Sequence, residues 1–253
     1  MIGDFIQFFK FVWAWVLTIF WSSAQLFFMM VGFGRWSWEI IPHTWSRMVL
    51  SALGVRISVK YEEKLVGPAV FVLNHQSLID VMLVPNILPP KVLHVVKSEL
   101  RKIPFFGPAV CNMGAISVDR QNIVAAMKSI EQGVGSMPVG YSVMVFPEGT
   151  LSQDGRLRPF KKGFAYIAMA GNLPVIPIGI AGAIDSCGYK MVVPRPGLIE
   201  CTVGDPINTG DWTEENVTEK VAEVREAIRA LQAESEKRRY GRVIHAEPSA
   251  QVI

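Results

Sequence analysis

His75 and Asp80 are the two residues whose types and spacing most suit chemistry. They lie in Asn74-His75-Gln76-Ser77-Leu78-Ile79-Asp80, directly after the apolar run Ala69-Val70-Phe71-Val72-Leu73. That run, bounded by Gly67-Pro68, is expected to be a buried strand. Ser77 with Asp80 three residues on has the form of a capping box opening a helix through Val81, Met82 and Leu83. His75 then occupies the turn from strand to helix, where α/β proteins present reactive groups. Five apart on one helix, the two side chains would diverge by about 140° and never meet. With His75 outside the helix and Asp80 in its first turn, the chain can bring carboxylate to imidazole. A carboxylate on one ring nitrogen fixes the tautomer and leaves the other nitrogen to take a proton. This is a general base without its own nucleophile, suited to a substrate that brings the hydroxyl. The same residues would also serve as a plain capping box beside an ordinary turn histidine, so the rest of the chain has to separate the two.

The elements that must hold this turn can be followed in order. Val55–Lys60 alternates apolar and polar and is expected as a half-buried strand, followed by strand 69–73. Val92–Val96 is a third strand, with His94 inside it as a packed core residue. A strand over 115–119 leads to Arg120. Ile123, Ala126, Met127, Ile130 and Val134 recur at helical spacing, giving a helix over 122–136. Arg120 therefore precedes a helix N-terminus, where it either meets an anion or is simply solvated. Strand 141–146 ends in Pro147-Glu148-Gly149-Thr150. After it Arg156, Arg158, Lys161 and Lys162 gather, and a helix over 160–170 follows. Val175–Ile180 is a buried strand whose internal Pro177 suggests an edge or a bulge. Two strands near 189–193 and 198–203 come next. A helix from about Thr213 to Arg238 is announced by Asp211 and Glu214 as a capping box, and a short basic run from Lys237 to Arg242 ends it. The alternation predicts an α/β fold: a mixed β-sheet flanked by helices, with an N-terminal membrane-embedded helical segment. The divisions expected are anchoring helices over 1–54, one α/β domain over 55–240 and a tail over 241–253.

Composition supports the membrane segment. Half the residues are hydrophobic, 19% are charged and the mean hydropathy is +0.30, high for a soluble enzyme. The excess is localised, for residues 11–34 carry no charge. As a helix that run reaches about 36 Å, enough for a hydrocarbon core of roughly 30 Å, so it either spans the bilayer or lies half-sunk in it, the other reading being a buried hairpin in a soluble core. It is too long for a cleaved signal and lacks a small-residue cleavage site. Six Trp from Trp13 to Trp45 fit a headgroup-level belt, and Arg35, Arg47 and Arg56 after the run favour the cytoplasmic face for the body. A second segment over 37–53, with Pro42 at a start or kink, is expected in the interface plane. The three cysteines form no C-x-x-C pair and are expected as reduced thiols. The four histidines show no metal spacing, so no metal site is expected.

Asn74–Asp80, Gly114-Ala115-Ile116-Ser117-Val118-Asp119-Arg120, Phe146–Thr150 and Val175-Ile176-Pro177-Ile178 occur in this order, each at or near a strand. Together they resemble the glycerolipid acyltransferase family, especially its 1-acylglycerol-3-phosphate acyltransferases, over roughly residues 55–205. The resemblance implies that His75 deprotonates the acceptor hydroxyl and that Asp80 holds the imidazole. The hydroxyl would attack the thioester of acyl-CoA or acyl carrier protein directly; either is a co-substrate, and no cofactor is implied. Arg120, Glu148, Gly149 and Thr150 resemble the acceptor-binding blocks, and Pro177 the block tied to the acyl site. An oxyanion would need donors, for which backbone N–H groups at the strand-to-helix turn are the natural source. One position departs: members commonly carry Arg after Phe-Pro-Glu-Gly-Thr, and here Leu151 stands. Arg156, Arg158 or Lys161 would have to supply that charge, or the acceptor is another lysophospholipid or a lyso-amino-acid lipid.

Rival readings find less support. A serine hydrolase needs a G-x-S-x-G elbow, which is absent. Nucleotide-binding glycine motifs are also absent, and no basic, aromatic-interleaved face suggests nucleic acid. A membrane-anchored lipid-binding protein that retains the fold is the remaining alternative, and intact His75, Asp80 and Glu148 argue against it. The expectation is a membrane-bound O-acyltransferase, with membrane lipids, a lysophospholipid acceptor and an acyl thioester as its partners.

Overall fold

Short runs of Val, Ile and Leu become the interior strands, because β-branched residues suit a pleated surface covered on both faces. A computed structural model describes residues 2–97, 102–104, 107–108, 115–118, 123–189, 191 and 193–245. Its strands are β1 (Val55–Lys60), β2 (Val70–Leu73), β3 (Val92–Lys97), β4 (Ile116–Val118), β5 (Ser142–Val145), β6 (Val175–Ala181) and β7 (Gly197–Val203). They form one sheet in the order β1-β7-β6-β2-β5-β3-β4. Every pairing is parallel except β6 with β7, so the sheet is mixed. The helices are α1 (Ile2–Met30), α2 (Gly34–Leu53), α3 (Asp80–Ile87), α4 (Ile123–Gly135), α5 (Gly163–Gly171), α6 (Ala183–Ser186) and α7 (Val217–Tyr240).

Successive residues of β2 serve opposite cores. Phe71 and Leu73 face Leu50, Leu53, Ile79 and Leu83, so α2 and α3 cover that side. Val70 and Val72 face Phe164, Ile167, Val224 and Ile228, so α5 and α7 cover the other. α7 lies hard on β6: a Cβ at Gly179 would come 2.2 Å from the Gln232 amide nitrogen. α1 and α2 form an antiparallel hairpin against the first core through Ala14, Leu17, Val49 and Leu50. Over Phe5–Met30, α1 is long and apolar enough to cross a membrane, and Phe5, Phe8, Phe9, Trp13, Trp15 and Phe20 are exposed along it.

Several local expectations change. Pro177 is not on an edge, since β6 lies between β7 and β2. Its missing N–H falls where the β7 ladder ends: Ile178 pairs with Val203 but Val175 bridges Ile207, so two residues of β6 face three of the other chain. That is the bulge alternative, and Gly204 N–H still donates to Pro177 O at 2.8 Å. The expected strand at 189–193 does not form among its described residues, and the short α6 precedes it instead. α2 begins before residue 37 and runs unbroken through Pro42. The box of the last helix is Thr213 with Asn216, whose side chains accept each other's backbone N–H at 3.4 and 2.8 Å, while Asp211 pairs with Lys220. The basic run is partly docked: Arg238 pairs with Glu200 at 2.7 Å and Arg239 with Asp185 at 3.5 Å.

Candidate active site

The β2–β5 register builds the site. Val72 is level with Val145, so His75 and Glu148, each three residues further, arrive side by side beyond the strand ends. Asn74 stops β2 without leaving the sheet. Its Nδ2 donates to Ile180 O at 3.0 Å and its Oδ1 accepts Ile180 N–H at 2.7 Å, replacing backbone pairing while the chain turns away. His75 N–H then donates to Glu148 Oε1 at 2.7 Å, and Ser152 N–H donates to His75 O at 2.9 Å. The imidazole lies on the Phe146 ring, with centroids 3.9 Å apart and planes 9° from parallel. His75 Nδ1 is 2.9 Å from Asp80 Oδ2. Nε2 has no hydrogen-bond partner among the described residues, so the ring is oriented by one nitrogen and open at the other.

Asp80 is fully buried, and its Oδ2 also accepts the N–H groups of Gln76 at 2.7 Å and Ser77 at 2.8 Å. The carboxylate half of the capping box therefore exists. The serine half is displaced by one residue, because Ser77 Oγ donates to Cys187 O and accepts the N–H of Ile79 rather than that of Asp80. Capping and bracing the histidine are not alternatives here; one oxygen does both. The consequence narrows the set of oxyanion donors expected at this turn. The N–H groups of Gln76, Ser77, Ile79 and Asp80 are all engaged within the turn or with Asp80, so they are not open to an oxyanion.

Glu148 is buried, and its two oxygens accept His75 N–H and, at 3.1 Å, Arg158 N–H. Burial pushes its carboxyl up to about 7, against the pull of those donors and with the Asp80 charge adding to the rise. Lys161 N–H donates to Pro147 O at 2.8 Å, and its side chain crosses Gly149, where a Cβ would stand 3.2 Å from Cε. Gly149 has φ +68°, so it allows both the turn and this close passage. Thr150 and Arg158 are exposed beside it. Seven of the nine expected site residues, His75, Asp80, Glu148, Gly149, Thr150, Arg158 and Lys161, thus gather at the ends of β2 and β5. Pro177 does not join them: it is level with Val72, roughly 10 Å along the sheet from the height of His75. Arg120 lies outside the described residues. Sequence reasoning gave no role to Asn74, Gln76, Phe146 or Ser152, whose only signal was their position in or next to the quoted blocks.

The chain is similar to known acyltransferases. An acyltransferase family model matches residues 56–181. A 1-acyl-sn-glycerol-3-phosphate acyltransferase of Cocos nucifera is 32% identical over 218 residues, spanning 85% of this chain and 70% of that protein. The chain belongs to the acyltransferase family. Another enzyme with the same name, from Haemophilus influenzae, is 29% identical over 191 residues, covering 74% of this chain and 75% of its own. The crystal structure of the 1-acyl-sn-glycerophosphate acyltransferase of Thermotoga maritima superposes with a TM-score of 0.76 over 92% of this chain and 97% of its own, at 24% identity, and shows the shared fold. The family match ends at the last residue of β6, so this acyltransferase carries β7 and α7 beyond it.

Proposed function

We propose that this acyltransferase moves a fatty acyl group from an acyl thioester, on CoA or acyl carrier protein, to the free hydroxyl of 1-acylglycerol-3-phosphate, giving phosphatidic acid. The observation that carries this is the imidazole of His75 held at 2.9 Å by a fully buried Asp80, with no hydrogen-bond partner at Nε2 among the described residues. In this reading Nε2 takes the acceptor hydroxyl's proton as its oxygen bonds to the thioester carbonyl carbon. The tetrahedral intermediate collapses by breaking the C–S bond, and the thiolate leaves with the proton from the imidazolium. Buried Asp80 stabilises that imidazolium, and the Phe146 face supports it. The names of the relatives support the acceptor.

Leu151 removes one cation from the acceptor block, and Lys161 is the replacement the geometry favours, because its side chain already lies across Gly149. Arg158, tied to Glu148 through its backbone, is the second. The exposed apolar face of α1 supports association with a membrane, with the body on the cytoplasmic face where acyl-CoA and acyl carrier protein occur.

The test uses purified protein with acyl-CoA or acyl carrier protein and a panel of lysolipids, with products read by mass. His75→Ala should lower kcat by about 10²–10⁴-fold, the range of a general base, while lysolipid binding persists. Lys161→Ala should raise KM for lysophosphatidic acid about tenfold and leave KM for an uncharged acceptor unchanged. Free fatty acid without transfer, or unchanged turnover in His75→Ala, would end the proposal.

A further inference from the structure

A second histidine–carboxylate pair stands behind the site. α7 ends at Gly241 and the chain doubles back, so that Glu236 Oε2 accepts the N–H groups of Ile244 at 2.7 Å and His245 at 3.1 Å. The His245 ring closes the loop, with Nδ1 at 2.7 Å from Glu236 Oε1. Glu236 is 1% exposed. Burial alone would push its carboxyl up, but the backbone and ring donors of His245, with Ile244 and Gln232, outweigh it and hold it below the usual carboxylate range. This arrangement is built around a charged carboxylate.

The pair is wired to the loop that carries the acceptor block. Gln232 Nε2 has two hydrogens, and both are committed: one to Glu236 Oε1 at 3.1 Å, the other to Gly155 O at 3.0 Å. The same carbonyl accepts Gln76 Nε2 at 3.1 Å, from the residue next to His75. Gln76 and Gln232 are both buried. The His245 ring also rests on Gly155, where a Cβ would come within 2.7 Å of Cε1 and Nε2. From its two ends this loop holds the catalytic turn, through Ser152 N–H on His75 O and Arg158 N–H on Glu148.

We propose that the C-terminal turn 241–245 is a clasp, and that Glu236 and His245 are positioning residues that hold the loop of residues 149–158 in register with His75. Neither touches the reacting groups. They act through Gln232, Gly155 and Gln76, and through the ring of His245 lying on Gly155. The kinetic consequence rests on the acyltransfer reading above; the structural one does not.

The full-length chain tests both. In His245→Ala and Glu236→Gln, amide exchange in the peptide 149–160 should accelerate about tenfold while peptides in β2 and the first half of α7 keep their rates. KM for the acceptor should rise about three- to tenfold with kcat changed less than about twofold, the pattern of lost positioning rather than lost chemistry. His245→Asn, whose amide can still donate to Glu236, should restore both values. Unchanged exchange in 149–160, or acceleration spread equally over β2 and α7, overturns the clasp. So does a fall in kcat with KM unchanged. If the wild-type protein turns over no lysolipid, the acyltransfer reading fails and the exchange result still decides the clasp.

Discussion

Glu148 is a carboxyl on which two demands conflict. Burial favours the neutral acid, while two backbone N–H donors favour the anion, and burial prevails, lifting it to about 7. A carboxyl raised on folding binds its proton more tightly in the native state. Its stabilising contribution is therefore complete below about pH 4.5 and is lost as pH climbs from there through about 7, on the order of 3 kcal/mol in all. Wild-type Tm should accordingly fall between pH 5 and 7.5, and Glu148→Gln, which has no proton to lose, should be flatter over that window. A parallel pair of Tm–pH curves from scanning calorimetry would show that Glu148 is ionised throughout. The neighbouring His75–Asp80 pair was legible in the sequence because its geometry is local: five residues, one turn, one helix start. The contact of His75 with Glu148 was not, since 73 residues separate them and only the register of β2 on β5 joins them. Composition marked each block; nothing in it marked which atoms would touch.

Gly179 decides how two elements meet. An alanine there would place its Cβ 2.2 Å from the Gln232 nitrogen and 2.3 Å from the Leu231 carbonyl carbon, both backbone atoms of α7 that no rotamer change can move. Gly179→Ala should therefore lift α7 from β6 and cost about 3 kcal/mol, at the upper end for overpacking, seen as a lower urea midpoint. A midpoint equal to wild type would mean that the helix has room to shift. Element existence was readable along most of the chain, since the β-branched runs at 55–60, 70–73 and 175–181 carry their own signal. Strand order was not, because it is set by crossovers, and Pro177 shows the cost: as a residue type it argues for an edge, yet β6 is internal. The structure accommodates it where the β7 ladder gains a residue. Polar pairs misled in a similar way. Asp211 with Glu214 and Thr213 with Asn216 overlap in sequence, and only the backbone geometry selects the second.

At the scale of the whole molecule, the hairpin of α1 and α2 would decide how the catalytic body meets a lipid surface. Both of its ends are tied to the body: Gln7 Nε2 donates to Pro194 O at 2.6 Å near the start of α1, and α2 runs directly into β1. Between them α2 stays on the body along its length, from Trp38 against the Tyr141 ring at 6.1 Å to Ser46, whose hydroxyl donates to Met82 O of α3. An α1 running beside such a helix lies along the body rather than away from it. Arg47 adds a charge argument, since it borders a surface groove with Trp13 and Leu17, partway along the apolar stretch of α1. If α1 crossed the bilayer, that guanidinium would sit well inside the hydrocarbon, at a cost of about 2.5–3.5 kcal/mol. In the surface plane it would reach headgroup phosphates at no such cost, and the exposed Phe5, Phe9, Trp13 and Phe20 side chains would enter the lipid. Nitroxide labels at Phe9→Cys, Ile19→Cys and Phe27→Cys, in a Cys111→Ser background, measure depth along the helix by power saturation against oxygen and a nickel chelate. The in-plane arrangement gives three shallow depths within about 5 Å of each other, whereas a spanning helix separates the outer two by about 27 Å at 1.5 Å per residue. Graded depths of that size would place the anchor across the membrane and detach the groove at Arg47 from any headgroup role.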